Sequence, residues 1–212
     1  MPDENIKFMP SSKLMQSSEI NIIAKEFVKL GVSKIRLTGG EPLVRKDAEK
    51  IILSLSKYPV ELTLTTNASE VNEFITVFKE AGIKSINVSL DSLKKEKFFQ
   101  ITKRNIFDKV LKNIQLLINE GFHVKVNTVI MRGINDDEIT KFIDWTKENP
   151  VHVRFIEFMP FSGNQWNDKK VFSYEEILAL AEEKYSFIRM NDAMNETAKK
   201  FKPFGHEGTF AV

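Results

Sequence analysis

The stretch from Glu19 to Pro42, E-I-N-I-I-A-K-E-F-V-K-L-G-V-S-K-I-R-L-T-G-G-E-P, decides the fold class. Ile20, Ile23, Ala24, Phe27 and Leu30 recur at helical spacing behind the cap-like Ser17 and Ser18. Gly31 stands where a helix ends on a left-handed residue, and the strand-like K-I-R-L-T follows at once. The unit repeats with Val71, Phe74, Ile75, Phe78 and Ala81, then Gly82, then S-I-N-V-S-L-D. It repeats again with Val110, Ile114 and Leu117, then Gly121, then H-V-K-V-N-T-V-I. Two further strands follow Pro59 (E-L-T-L-T-T-N) and Pro150 (V-H-V-R-F-I-E-F-M). Successive βα units build parallel sheets, so the expectation is an α/β fold with five strands and at least six helices.

Side chains alternate across a strand, which splits each one into two faces. Ile35, Leu37, Leu62, Leu64, Ile86, Val88, Leu90, Val124 and Val126 make one apolar face, expected under the helices. The other face carries Arg36, Thr38, Thr63, Thr65, Asn67, Asn87, Ser89, Asp91, Lys125 and Asn127, all polar. A packed TIM barrel fills its centre with Val, Ile and Leu, so this face must instead meet water or a polar ligand. Two forms satisfy that: an open sheet with solvent on one side, or a wide incomplete barrel with a polar lumen. The fifth strand breaks the pattern, because Arg154 and Glu157 fall on opposite faces, and a bulge there is one way to reconcile them.

Composition removes several classes of chemistry. The 212 residues contain no cysteine, so they offer no disulfide, no thiolate nucleophile and no Cys-ligated zinc or iron–sulfur cluster. The three histidines, His123, His152 and His206, have no metal-ligand spacing. A balance of 31 Lys+Arg against 29 Asp+Glu argues against nucleic acid as a partner. No apolar run is long enough for a membrane span and no signal peptide opens the chain, so a cytoplasmic protein with no membrane partner is expected.

Sites in parallel α/β folds gather at the carboxyl ends of strands. There the sequence places Gly39-Gly40-Glu41-Pro42, Thr65-Thr66-Asn67, Ser89-Leu90-Asp91, Asn127-Thr128 and Glu157-Phe158-Met159. Paired glycines admit close approach of a ligand to backbone, and a following Glu can accept from an ammonium group; a tight turn with a surface carboxylate is the plainer reading. Arg36 and Lys125 pair a planar fork with a point charge, a combination suited to phosphate oxygens, or else to a salt bridge with Asp91 or Glu157. Lys125 is also a conceivable Schiff-base amine. His123 reads as a structural residue at a strand start, and Lys199-Lys200 as a solvated face. The G-I-N-D-D-E run at 133–138 lacks the alternating ligands of a calcium loop and reads as an acidic helix start. A loop follows from Pro160 to Lys170, with Gly163 and Trp166; then a capping box, Ser173 and Glu176, opens a helix to about Lys184. The remainder from Asn191 is polar and irregular, ending on T-F-A-V as a strand without a visible partner.

Taken together, K-I-R-L-T-G-G-E-P-L-V-R-K-D (34–47), L-T-T-N (64–67), I-N-V-S-L-D-S-L (86–93), V-K-V-N-T-V-I-M-R-G-I-N-D-D-E-I (124–139) and V-R-F-I-E-F-M-P (153–160) resemble the GTP 3′,8-cyclase family of radical S-adenosylmethionine (SAM) enzymes in molybdenum cofactor (molybdopterin) biosynthesis. The resemblance implies a partial (β/α)6 TIM-like barrel over residues 1–172, with 173–212 as a helix and the start of a C-terminal region. It implies a SAM site at Gly39, Gly40, Glu41, Ser89 and Met159, with Gly40 and Glu41 at the methionyl amino group. GTP would meet Arg36, Thr65 and Lys125. The family's reaction cleaves SAM reductively at a 4Fe–4S cluster; the resulting deoxyadenosyl radical abstracts a ribose hydrogen of GTP, and the ribose radical attacks the guanine ring. A reductant supplies the electrons, and a homodimer is one assembly such a barrel could form.

The family carries two 4Fe–4S clusters on cysteine motifs, and this chain has no ligand for either. The first motif of the family ends just before a Met-Pro like Met1-Pro2, and the second lies beyond a strand like G-T-F-A-V. The expectation is a chain lacking the first barrel strand and cut at both ends, prone to associate through the exposed edge, inactive alone and weak in nucleotide affinity. The alternative is a non-catalytic barrel that binds a nucleotide or a partner. Ala68 departs from the family's usual Gly after T-T-N.

Overall fold

The computed structural model describes residue 10 and residues 13–160, 166–191 and 197–212. Its elements run α1 (Ser17–Lys29), β1 (Lys34–Leu37), α2 (Ala48–Leu55), β2 (Glu61–Thr66), α3 (Val71–Glu80), β3 (Ser85–Ser89), α4 (Lys95–Thr102), α5 (Phe107–Asn119), β4 (His123–Ile130), α6 (Ile139–Trp145), β5 (His152–Glu157), α7 (Tyr174–Lys184), β6 (Phe187–Arg189), β7 (Lys200–Pro203) and β8 (Thr209–Ala211). They form one sheet of eight strands in the order β1-β2-β3-β4-β5-β8-β7-β6. The pairs from β1 to β5 are parallel and sequential. Right-handed crossovers stepping in one direction put every connecting helix on the same face of the sheet. That leaves the other face without helices and makes the array a barrel segment rather than a doubly wound sheet. The sheet stays open, with β1 and β6 at its edges.

Burial follows the alternation. Leu64, Ile86, Val88, Val124, Val126, Val153 and Phe155 are buried on the helix side, against Phe78, Ile114, Leu117 and Phe142. The fifth strand needs no bulge. Arg154 stands beside Asn127 on the polar face, and Glu157 falls on the helix side, where its carboxylate accepts from the backbone N–H of Tyr174 at 2.7 Å. That N–H opens α7, and an anion there complements the helix N-terminus.

The capping box at Ser173 and Glu176 forms, and α7 runs to Lys184. The cap of α1 falls one residue earlier than the serines: Gln16 takes the position, its N–H donating to Glu19 at 2.6 Å. The acidic run closes as a tight turn at Asp136–Glu138 ahead of α6. Trp166 donates its indole N–H to the Phe158 carbonyl at 2.9 Å, whereas Gly163 lies outside the described residues.

The tail corrects the sequence reading. T-F-A-V does have partners: β8 lies parallel to β5 and antiparallel to β7, and β6 extends the meander. Phe187, Phe201 and Phe210 bring these strands into the core that Phe155 belongs to, so the segment is ordered by ring packing rather than left irregular. Among the described residues, no helix is long and apolar enough to cross a membrane.

Candidate functional site

Register sorts the polar face into rows, because residues paired in adjacent strands point the same way. Arg36 stands beside Thr63. One row runs Thr65, Asn87, Lys125, His152, Thr209. The next, nearer the carboxyl ends of the parallel strands, runs Ser89, Asn127, Arg154, Ala211, Lys200. The three residues expected to contact GTP, Arg36, Thr65 and Lys125, therefore share one face. Arg36 is exposed at the edge strand, while Thr65 and Lys125 are half-buried in one row.

Arg154 joins them, although its parity with Glu157 hid it. Its Nε donates to Asn127 Oδ1 at 2.9 Å, and a terminal nitrogen donates to Asn87 Oδ1 at 2.6 Å. Asn87 is fixed in turn by donating to the Leu64 carbonyl at 3.1 Å. Two amide oxygens orient the guanidinium, whose planar fork suits an anion. The alternative partners suggested for the cations are engaged elsewhere. Asp91 accepts from the Val129 N–H at 2.9 Å, with its pKa pushed up by burial, and Glu157 faces the helices.

His152 is buried in the same row. Its Nδ1 lies 2.7 Å from the Thr209 hydroxyl, and its Nε2 is buried with no hydrogen-bond partner among the described residues. Burial, and then the charges of Arg154, Lys125 and Lys200, lower its pKa to about 3, so the ring is neutral at pH 7. His123 opens β4 on this face, exposed rather than built into the core, and burial and the same lysines lower its pKa.

The G-G-E segment is tied to T-T-N by one carboxylate. Glu41 Oε1 accepts from the Thr66 hydroxyl at 2.7 Å and from the Leu43 N–H at 3.2 Å, and Oε2 accepts from the Asn67 N–H at 2.6 Å. The side chain read as an ammonium acceptor thus clamps two strand ends together, with lone-pair capacity remaining on Oε2. Gly39 and Gly40 hold φ of 97° and 51°, and a Cβ on either would meet nothing within 4 Å. Ala68, at φ 60°, adopts the conformation that a glycine there would take freely. Asn113 stabilises it by donating to the Ala68 carbonyl at 2.7 Å.

Two cavities open at the strand ends and share Asp91 as a wall. One, about 220 Å³, holds Ser89 with Asn67 and Arg104. The other, about 120 Å³, holds Met159 with Val129 and Ile156. A larger space of about 520 Å³ is lined by Leu37, Leu64, Ile51 and Ile52 together with the G-G-E segment. The sequence reading placed Asp91 on this face but offered it as a salt-bridge partner, took Lys200 as part of a solvated face, and left Arg154 unassigned. Strand parity finds Arg154 once Glu157 is assigned to the helix end.

The sequence profile of the radical SAM superfamily matches residues 4–146. The mitochondrial GTP 3′,8-cyclase of Arabidopsis thaliana is 47% identical over 213 residues, covering 99% of this chain and 55% of that protein. The GTP 3′,8-cyclase of Listeria monocytogenes is 37% identical over 218 residues, covering 100% of this chain and 66% of that protein. Human molybdenum cofactor biosynthesis protein 1 is 41% identical over 212 residues, 98% of this chain and 33% of that one. The chain thus spans between a third and two thirds of the length of these relatives. Among solved structures, Streptococcus suis SuiB bound to S-adenosylmethionine matches with a TM-score of 0.65 at 17% identity, covering 84% of this chain and 41% of that one. Archaeal TYW1 matches at 0.59 and 16% identity, covering 90% and 71%. Identities this low concern the fold, and they agree with the partial barrel. With the profile covering more than half of its residues, the chain belongs to the radical SAM superfamily.

Proposed function

We propose that the polar face binds GTP and S-adenosylmethionine and that the chain supplies the barrel of a GTP 3′,8-cyclase of molybdenum cofactor biosynthesis. The observation that carries this is the placement of Lys125 and Arg154 in adjacent rows of a face without helices, with Arg154 oriented by two asparagines. The proteins named GTP 3′,8-cyclase that it resembles support the choice of nucleotide.

The residues present fit SAM. Gly39 and Gly40 leave open space over their backbone, and Glu41 holds that loop against Asn67 while keeping capacity for the ammonium group. Ser89 and Met159, in the two cavities flanking Asp91, would take the remainder of the molecule. Bound SAM supplies the family's source of a deoxyadenosyl radical. Arg36, Thr65, Lys125 and Arg154 would hold GTP by its phosphates and orient its ribose. The residues present do not fit an iron–sulfur cluster, because 212 residues without cysteine offer it no thiolate. A reductant would complete the family reaction, and self-association through the β1 edge would give a homodimer.

The chain alone is expected to turn over no GTP, and to bind it weakly. Titration with GTP, followed by NMR, tests the site. Saturable binding that weakens about tenfold in Arg154→Ala supports it, since a charge-assisted contact contributes roughly 1.5–3 kcal/mol. No binding, or binding that Arg154→Ala leaves unchanged, overturns it. Tight GTP binding together with no SAM binding points instead to a non-catalytic nucleotide-binding barrel. Robust cyclase turnover by the purified chain would refute the expected inactivity.

A further inference from the structure

The meander after α7 brings a cation to a ligand face otherwise built by βα units. Strand β8 lies between β5 and β7, and its Ala211 stands beside Arg154 on one side and Lys200 on the other. Lys200 thereby continues the row of Ser89, Asn127 and Arg154. Adjacent strands lie about 4.8 Å apart, which puts the Cα atoms of Arg154 and Lys200 roughly 10 Å apart across one alanine. The methyl group of Ala211 fills little of that gap, so two long cationic side chains can converge above it on one anionic group.

The other parity is not available to Lys200. Phe201 packs on Phe187 and Phe210, with ring centroids 5.2 Å apart in each case, and shifting β7 by one residue would turn that ring away from the core. The field around the two histidines agrees with the placement. His123 on β4 and His152 on β5 both have lowered pKa values; burial is the first cause, and Lys125 and Lys200 contribute to each. Two rings on different strands thus sense the charge of Lys200 over the same patch.

We propose that Lys200 is a binding residue for the phosphate end of the nucleotide, completing with Lys125 and Arg154 a three-sided cationic cradle whose third side comes from the C-terminal meander. The inference rests on the nucleotide reading above and adds a residue to it. Arg154 offers a planar fork, and Lys200 a mobile point charge that follows phosphate oxygens as the ligand seats.

The test is titration of the 212-residue chain, wild type and Lys200→Ala, with GTP, with guanosine and with inorganic tripolyphosphate at low ionic strength. Lys200→Ala is expected to weaken GTP and tripolyphosphate about tenfold and to leave guanosine unchanged, the size of one charge-assisted contact. Lys200→Arg should recover most of the loss. Lys199→Ala, the neighbour of opposite parity, should match wild type with all three ligands. Equal GTP affinity in wild type and Lys200→Ala overturns the assignment of Lys200 and leaves the nucleotide site standing. A parallel loss of guanosine shows a structural role and also overturns it. Wild type that binds neither GTP nor tripolyphosphate overturns the nucleotide reading and this inference with it.

Discussion

The two edges of the sheet carry similar apolar sequence and bury it very differently. At the edge beginning with β1, helix α1 buries only Ala24 among its thirteen residues. Ile22, Ile23 and Phe27 are exposed, Leu30 is 82% exposed, and the 520 Å³ space lies between α1, β1 and α2. Toward the other edge, Phe155, Phe187, Phe201 and Phe210 form one cluster with centroid separations of 5.2 to 6.4 Å, and Phe210 is fully buried. Periodicity marks a face as able to pack, whereas stability depends on area actually removed from water. The meander achieves this with three short strands because β8 is paired on both sides.

The sharpest way to break the contrast is to empty the cluster. Phe210→Ala should cost about 3–5 kcal/mol of unfolding free energy, the range for a buried phenylalanine truncated to a cavity. Urea denaturation checks it, and a loss below about 1 kcal/mol would mean that the meander does not belong to the cooperative core. Gly208→Ala probes the same edge through its backbone. A Cβ there would lie 2.3 Å from the Val151 carbonyl and 2.7 Å from the Asn149 carbonyl, while the Gly208 N–H donates to the Thr146 carbonyl at 2.9 Å. Displacing β8 from β5 should cost about 1–3 kcal/mol, typical of overpacking.

A smaller effect is pH-dependent and centres on His152, where the meander meets the polar face. Its folded pKa of about 3 lies below the ordinary 6.5, so the unfolded chain binds the proton more readily. Its contribution to stability is complete above pH 6.5 and is lost as pH falls toward about 3. Between pH 6.5 and 5.5 the loss is about 1 kcal/mol, and below that it approaches the one-proton limit of about 1.4 kcal/mol per pH unit. His152→Asn should flatten that slope by up to one proton, as read from urea midpoints across pH. An unchanged slope would show that His152 titrates alike in both states.

The parallel half of the sheet was legible because its βα units announce themselves locally: helical spacing or a proline break, a glycine stop before three of the strands, then alternation. Residues such as Thr65, Asn87 and Lys125 were put on the correct face by parity alone. The meander was not legible, since K-F-K-P and T-F-A are too short to show a period and pair through contacts such as His152 with Thr209, 57 positions apart. Arg154 was obscured because it and Glu157 fall on opposite faces and either could meet the ligand; Glu157 serves the first turn of α7 instead. Glu41 was legible as a special carboxylate but not as a clamp, because nothing in local spacing joins it to Thr66 and Asn67.

The smallest effect on stability belongs at the β1 edge. Phe27 is half-exposed on α1, so Phe27→Ser removes little buried area and should change unfolding free energy by no more than about 0.5 kcal/mol. Its consequence should appear in association instead. Among the described residues β1 is paired on one side only, by β2, and the apolar residues of α1 lie next to it in sequence, a combination that favours contact between copies. Sedimentation velocity over a range of concentrations should show less self-association for Phe27→Ser than for wild type, with the urea midpoint unmoved. If Phe27→Ser instead lowers the midpoint as far as Phe210→Ala does, α1 is buried in solution to the same degree as the phenylalanine cluster, and the two edges differ in partner rather than in packing.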